Sequence, residues 1–323
     1  MKAILVHHCG GPENMRLEDT TIATLGPGQA LVKIAATGVN FIDIYFRTGL
    51  YKADTPVALG MEAAGVVEAV GPGVTEVSPG DRVAYALNRG SYAEYALVPA
   101  SQLVPLPAAI DFRSAAASIL QGMTAHYLTH STFPLAQGHV ALVHAAAGGA
   151  GLLIVQMAKM RGARVIATVS TEAKAERARQ AGADEVILYT RQDFQAETMR
   201  LTAGKGVHVV YDSVGASTFQ GSINSLRPRG MMVTFGNASG PVPAFEPLLL
   251  SQKGSLFITR PTLGHYCASR QELLGRSGDV FSWIASGRLK LHIERTYPLA
   301  EAAQAHRDLE SRGTTGKLLL LPA

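Results

Sequence analysis

The sequence predicts an α/β protein in which a doubly wound parallel sheet is inserted near the middle of a turn-rich β domain. Three observations carry that prediction. Residues 139–151 run from an apolar strand through a glycine turn into a helix-like stretch. The segment that follows alternates short β-branched runs with charged amphipathic ones, whereas residues 1–122 break into short alternating runs punctuated by Gly and Pro. The first two patterns describe βα units with helices on both faces of a sheet, and the third describes antiparallel strands in a barrel-like domain.

In chain order, strands are predicted at residues 3–6, 30–35, 64–70 and 82–85. Gly26-Pro27-Gly28, Gly71-Pro72-Gly73 and Pro79-Gly80-Asp81 punctuate this stretch, since Gly and Pro supply the backbone angles of tight turns. The inserted half reads as a strand entering the glycine turn, a helix over 152–161, and strands at 163–169, 185–189, 207–211, 231–235 and 255–259. Helices fall between them at 172–180 and 193–202. An amphipathic helix around 271–285 and strands at 289–293 and 317–321 close the chain and most simply rejoin the first domain. The boundaries expected are 1–122, 123–262 and 263–323.

Read as G-x-G-x-x-G, the turn is Ala146-Ala147-Gly148-Gly149-Ala150-Gly151, with alanine at the first glycine position. Gly148 lets the backbone approach a pyrophosphate, and Gly151 lets helix and strand pack closely. The helix N-terminus presents free N–H groups and a partial positive charge. Any tight strand-to-helix turn favours Gly and Ala, so the repeated βα context is what points to a dinucleotide.

At 323 residues, with 47% apolar and 17% charged residues, the chain can bury two ordinary cores. No charged-then-apolar leader opens it and no uncharged run reaches bilayer-spanning length, so a cytoplasmic protein without membrane contact is expected. The net charge of +4 is scattered rather than gathered in a block, which argues against nucleic acid as a partner. Cys9 and Cys267 are too few for a four-cysteine zinc lobe, and none of the ten histidines pairs with a cysteine at ligand spacing. No Ser-His-Asp order or reactive-cysteine context suggests a hydrolase.

Several segments together resemble the zinc-independent quinone oxidoreductases, the zeta-crystallin branch of the medium-chain dehydrogenase/reductases. They are Asn40-Phe-Ile-Asp-Ile-Tyr45 with Arg47-Thr-Gly-Leu-Tyr51, Gly60-Met-Glu-Ala-Ala-Gly65, Gly80-Asp-Arg-Val83, His144-Ala-Ala-Ala-Gly-Gly149, Tyr211-Asp-Ser-Val-Gly215, Phe235-Gly-Asn-Ala-Ser-Gly240 and Thr259-Arg-Pro-Thr262. The resemblance spans nearly the whole chain. It implies a GroES-like catalytic domain, an inserted Rossmann domain, and NADPH-dependent reduction of quinones in the cleft between them. Zinc-dependent relatives carry Gly-His-Glu where this chain has Gly60-Met61-Glu62, which removes a histidine ligand, so no metal is expected.

The second strand ends in Thr168-Val169-Ser170-Thr171, where an NAD site would usually place an acid on the ribose. Hydroxyls and the nearby Lys174 suit a 2′-phosphate better, and NADPH is expected. Glu172 opposes this, although an acid in the first turn of a helix is favoured by the helix dipole alone. By resemblance, Lys174, Tyr189 and Arg312 surround the phosphate with Ser170 as a neighbour. Ala147, Gly148, Gly149, Ala150 and Gly151 cradle the pyrophosphate. Phe235, Gly236 and Ser239 face the nicotinamide half, with Thr124 across from them.

Asn40 and Tyr45 match family positions near the nicotinamide and substrate pocket, and Tyr51 lies close by in sequence. A tyrosine hydroxyl or asparagine amide can donate to a quinone oxygen as charge develops on it. Alternative readings are reduction of α,β-unsaturated carbonyls with the same cofactor, and AU-rich RNA binding, for which no aromatic–basic motif is evident. A homodimer through the Rossmann domains is expected because residues 255–259 form a short, apolar, uncharged edge strand flanked by Lys253 and Arg260.

Overall fold

The computed structural model describes residues 1–322, and the chain divides into two compact units. One comprises Met1–Met123 together with the C-terminal segment from Cys267, and the other is Thr124–Tyr266.

The first unit is organised by the strand Gln29–Val39, which pairs antiparallel with Glu62–Val70, Tyr95–Pro99 and Lys317–Leu321. Its main sheet runs Ile293–Pro298, Lys317–Leu321, Gln29–Val39, Glu62–Val70, Arg82–Ala86, Val104–Pro105. The late strands therefore rejoin the early ones, with Leu319 opposite Gly38. Two features depart from the expected pattern, and the first has a local cause. Leu289 is buried and its N–H bonds Trp283 O, so it plugs the end of the helix Arg270–Ala285, and the strand begins only at Ile293. That strand also runs parallel to Lys317–Leu321, unlike its neighbours in the sheet. The Gly-Pro-Gly turns pack backbone to backbone: Gly71 N–H bonds Gln29 O, and a Cβ on Gly71 would lie 1.9 Å from Gly26 O.

The second unit is a parallel sheet in the order Glu185–Leu188, Arg164–Val169, Val140–Val143, Val207–Asp212, Leu226–Thr234, Phe257–Thr259. Construction proceeds outward in one direction from Val140–Val143 and in the other from Val207–Asp212. The crevice between those two strands is thus the topological switch point, where such sheets bind ligands. The helix Gly149–Met160 starts inside the glycine turn rather than at residue 152, because Gly148 already serves as its N-cap. The edge strand is shorter than expected. Ser255 takes a positive φ of 56°, which turns Leu256 into the unit's own core and leaves Phe257 56% exposed. No helix among the described residues is long and apolar enough to cross a membrane.

Candidate active site

In the first unit, Asn40 sits where the strand Gln29–Val39 passes into the helix Phe41–Thr48. Its amide is committed to protein partners. Asn40 Oδ1 accepts from Lys317 Nζ at 2.8 Å and Gln121 Nε2 at 2.9 Å, and Asn40 Nδ2 donates to Glu62 Oε1 at 2.7 Å. Lys317 Nζ also bonds that carboxylate oxygen at 2.5 Å, and Leu120 N–H reaches Glu62 Oε2 at 2.8 Å. Lys317 is 3% exposed and Glu62 0%, so a charge pair is held inside the unit with both members hydrogen-bonded. Gly38 makes room for it, since a Cβ there would lie 2.1 Å from Glu62 Oε1 and 2.7 Å from Lys317 Cε. The expectation of an asparagine amide turned toward substrate gives way to an asparagine that ties three elements together.

A second buried chain begins at the same residue. Asp43 Oδ2 accepts from Asn40 N–H at 2.9 Å and from the Tyr92 hydroxyl at 3.0 Å, while Asp43 Oδ1 has no partner. Tyr92 lies 3.1 Å from His306 Nε2, and His306 Nδ1 lies 3.1 Å from Arg47 Nη1. Arginine only donates, so His306 Nδ1 is an acceptor and Nε2 carries the proton toward Tyr92. Burial pushes the Asp43 carboxyl up to about 7 and holds His306 down at about 3, with Arg47 adding to the latter. Arg47 ends the chain in a two-pronged bond to Glu310 at 2.6 and 3.0 Å.

Tyr45 and Tyr51 come together because Gly49 ends the helix Phe41–Thr48 in the left-handed region, at φ 81°, and reverses the chain. Tyr51 N–H then bonds Tyr45 O, and the two rings meet edge to face with centroids 5.2 Å apart. Tyr45 is buried and Tyr51 half-buried. Arg312 belongs to this unit as well, exposed in the turn after the helix Ala302–Glu310 at φ 57°.

In the second unit, Ala147 to Gly151 form the turn at the carboxyl end of Val140–Val143. A Cβ on Gly151 would lie 2.3 Å from Ala145 O and 2.8 Å from Ala146 Cα, so strand and helix touch through glycine alone. At Gly148 the nearest atom is 3.2 Å away and the helix behind it has no side-chain cap, which leaves its first N–H groups for an anion. These residues fit a pyrophosphate. Ser170 and Tyr189 follow the adjacent strands Arg164–Val169 and Glu185–Leu188 and are brought together there, with Thr190 Oγ1 bonding Ser170 O at 2.9 Å. Lys174 lies in the first turn of Glu172–Gln180, whose N-cap is Thr171. Glu172 is turned to Arg191 at 3.4 Å, and Arg191 adds a cation near Tyr189 that the sequence reading missed.

Phe235, Gly236 and Ser239 lie beyond the end of Leu226–Thr234, in a loop knitted to the one after Val207–Asp212. Ser239 Oγ donates to Val214 O at 2.9 Å and accepts Ser217 N–H at 3.0 Å, so this hydroxyl shapes the loop. A Cβ on Gly236 would lie 2.4 Å from Ser213 O. Arg260 is exposed and braces the loop through its guanidinium, with Nη1 donating to Gly236 O at 2.9 Å and to Thr234 Oγ1 at 3.3 Å. Thr124 is half-buried on the helix Phe112–Tyr127. The sequence reading did not assign Lys317, Asp43, Tyr92 or His306. The signal available was a lysine heading an otherwise apolar strand, Lys317–Leu321.

Residues 26–108 match the alcohol dehydrogenase GroES-like domain family, and residues 149–271 match the zinc-binding dehydrogenase family. A quinone oxidoreductase of Pseudomonas aeruginosa is 47% identical over 97% of either chain. A 2-haloacrylate reductase of a Burkholderia species is 44% identical over 99% of this chain and 98% of that one. The crystal structure of Escherichia coli quinone oxidoreductase complexed with NADPH superposes with a TM-score of 0.98, at 45% identity and 100% coverage of both chains. The zinc named in the second family description does not suit the residues here. Met61 replaces the expected histidine, and the Glu62 carboxylate beside it is already neutralised by a buried ammonium that would repel a metal cation.

Proposed function

We propose that this chain, which belongs to the zeta-crystallin-like quinone oxidoreductases of the medium-chain dehydrogenase/reductase superfamily, reduces a quinone with NADPH and without a metal. The observation that carries the reading is full-length identity of 45% to a quinone oxidoreductase solved with NADPH, at a TM-score of 0.98. When bound, the dihydronicotinamide supplies hydride. The chain's part is anchoring and positioning. Gly148 to Gly151 hold the pyrophosphate, while Ser170, Lys174 and Tyr189, with Arg191, offer hydroxyls and positive charge to the 2′-phosphate. The loop from Phe235 to Ser239 bounds the nicotinamide half. Tyr45 and Tyr51 are the polar groups offered to the quinone oxygen that gains charge, and Asn40 fixes the helix that bears Tyr45. A cytoplasmic setting belongs to the same proposal.

Likeness to a 2-haloacrylate reductase favours a second reading, reduction of an activated carbon–carbon double bond with the same cofactor. Steady-state rates with a quinone series against 2-chloroacrylate and simple enones decide between them. Higher kcat/KM for every quinone is expected, and a preference for the acrylate would overturn the first reading.

The same proposal includes a homodimer through the second unit. Phe257 projects from the edge strand, and Arg260, a charge able to blunt that edge, is anchored through its guanidinium to Gly236 O in the neighbouring loop. Leu256 lies in the unit's own core and Ile258 packs against it, so the apolar contact centres on Phe257. Light scattering is expected to give twice the 34.1 kDa chain mass. A single-chain mass rejects the dimer, and a Phe257→Lys variant that stays dimeric rejects this edge.

A further inference from the structure

The strands Val140–Val143 and Val207–Asp212 flank the switch point of the parallel sheet, and a buried polar chain links their carboxyl ends. His144 follows the first strand and Asp212 ends the second, and both are buried. Ser222, on the helix Phe219–Asn224, stands between them: its Oγ is 2.9 Å from His144 Nε2 and 3.0 Å from Asp212 Oδ2. Thr168 Oγ1, on the neighbouring strand, lies 2.8 Å from His144 Nδ1. The direction of each bond follows from what each atom can do. Ser222 donates to the carboxylate, so its oxygen takes the Nε2 proton of His144, and Nδ1 accepts from Thr168. This arrangement needs a neutral imidazole, and burial lowers the tendency of His144 to take a second proton.

Asp212 passes this constraint outward. Its Oδ1 accepts the N–H groups of Val214 at 2.7 Å and Gly215 at 3.0 Å, and its Oδ2 accepts the Thr218 hydroxyl at 2.7 Å. The loop so shaped interlocks with the loop from Gly236 to Gly240. Ala238 N–H bonds Ser213 O, Ser239 N–H bonds Val214 O, and a Cβ on Gly215 would lie 2.4 Å from Gly240 O.

We propose that Ser222 and His144 are positioning residues for hydride transfer, holding Asp212 and, through it, both interlocked loops in the shape that seats the reactive ring of the cofactor. The inference rests on the NADPH reading above and adds supports that act from behind the loops. Ser222→Ala, which removes one oxygen and disconnects Asp212 from His144, is expected to lower kcat about tenfold, the scale set by small misplacements of reacting atoms. The primary isotope effect with 4-deuterated NADPH should rise as hydride transfer becomes limiting. Affinity for adenosine 2′,5′-bisphosphate, which lacks the nicotinamide, should stay at the wild-type value. His144→Leu is expected to behave likewise, and the smaller Ser222→Ala deletion carries the test alone if that variant does not fold. Hydride transfer at the wild-type rate in Ser222→Ala overturns the inference, as does a loss of bisphosphate affinity in step with kcat. Failure of the wild type to bind the bisphosphate, or to oxidise NADPH with any quinone, would overturn the underlying reading instead.

Discussion

The two units each bury a carboxylate at the heart of their candidate site, and they neutralise it by different means. In the first unit Glu62 is met by a full positive charge, the ammonium of Lys317, with Asn40 and one backbone N–H completing its shell. In the second, Asp212 is met by two backbone N–H groups and two hydroxyls, with a neutral imidazole behind one of them. An ion pair concentrates the compensation in one partner, so loss of that partner leaves a bare buried charge. A shell of dipoles spreads it, so loss of any one donor leaves most of the stabilisation in place. The first arrangement ties distant chain segments together, and the second shapes the backbone next to it.

The largest effect that would test this contrast is expected from Lys317→Met. It strands Glu62 without a counter-charge and should destabilise the protein by about 3–5 kcal/mol in denaturant unfolding. Adding Glu62→Gln should recover much of that loss, because an amide needs no cation. If the double variant is no more stable than Lys317→Met, the charge pair is not what holds this region.

Asp212→Asn should cost less, about 1–3 kcal/mol, because one oxygen still accepts while the new NH2 faces donors. A cost equal to that of Lys317→Met would erase the distinction between the units.

The smallest effect is a slope. Asp43, raised from 3.8 to about 7, contributes stability that is complete below pH 3.8 and is lost as pH rises toward 7. His306, lowered from 6.5 to about 3, contributes stability that is complete above pH 6.5 and is lost as pH falls toward 3. The two slopes oppose each other between about pH 4 and 6.5. His306→Asn should therefore become less stable as pH rises through that window, and Asp43→Asn less stable as it falls. Thermal melts across the window check this, and slopes of equal sign in the two variants would refute it.

The parallel sheet was readable because its strands are short β-branched runs separated by charged helices, and that periodicity is a local property of the chain. The helix Glu172–Gln180 and the strand Lys317–Leu321 fall where the pattern puts them. Leu289 was misread because an apolar residue after a helix serves equally well as a strand or as a plug, and only its bond to Trp283 O distinguishes the two. In the site, the glycine turn was legible because strand and helix touch there through Gly151, where no side chain fits. The committed state of Asn40 was hidden. Its partners Glu62, Gln121 and Lys317 lie 22, 81 and 277 residues away, and nothing in a linear pattern announces that a lysine will be dry.

Gly38 has a bearing on how such a chain can change over generations. Its missing side chain is the space in which Glu62 and Lys317 meet, so any larger residue at 38 is tolerated only after one of those two has been shortened or lost. Asn40 then loses the partner that orients it. Positions 38, 40, 62 and 317 thus form one unit of inheritance, and a mutation accepted at any of them should depend on which residues already occupy the other three. A mutational scan repeated in a Glu62→Ala, Lys317→Ala background, where both side chains are cut back from the space beside Gly38, would show that dependence as new tolerance at residue 38.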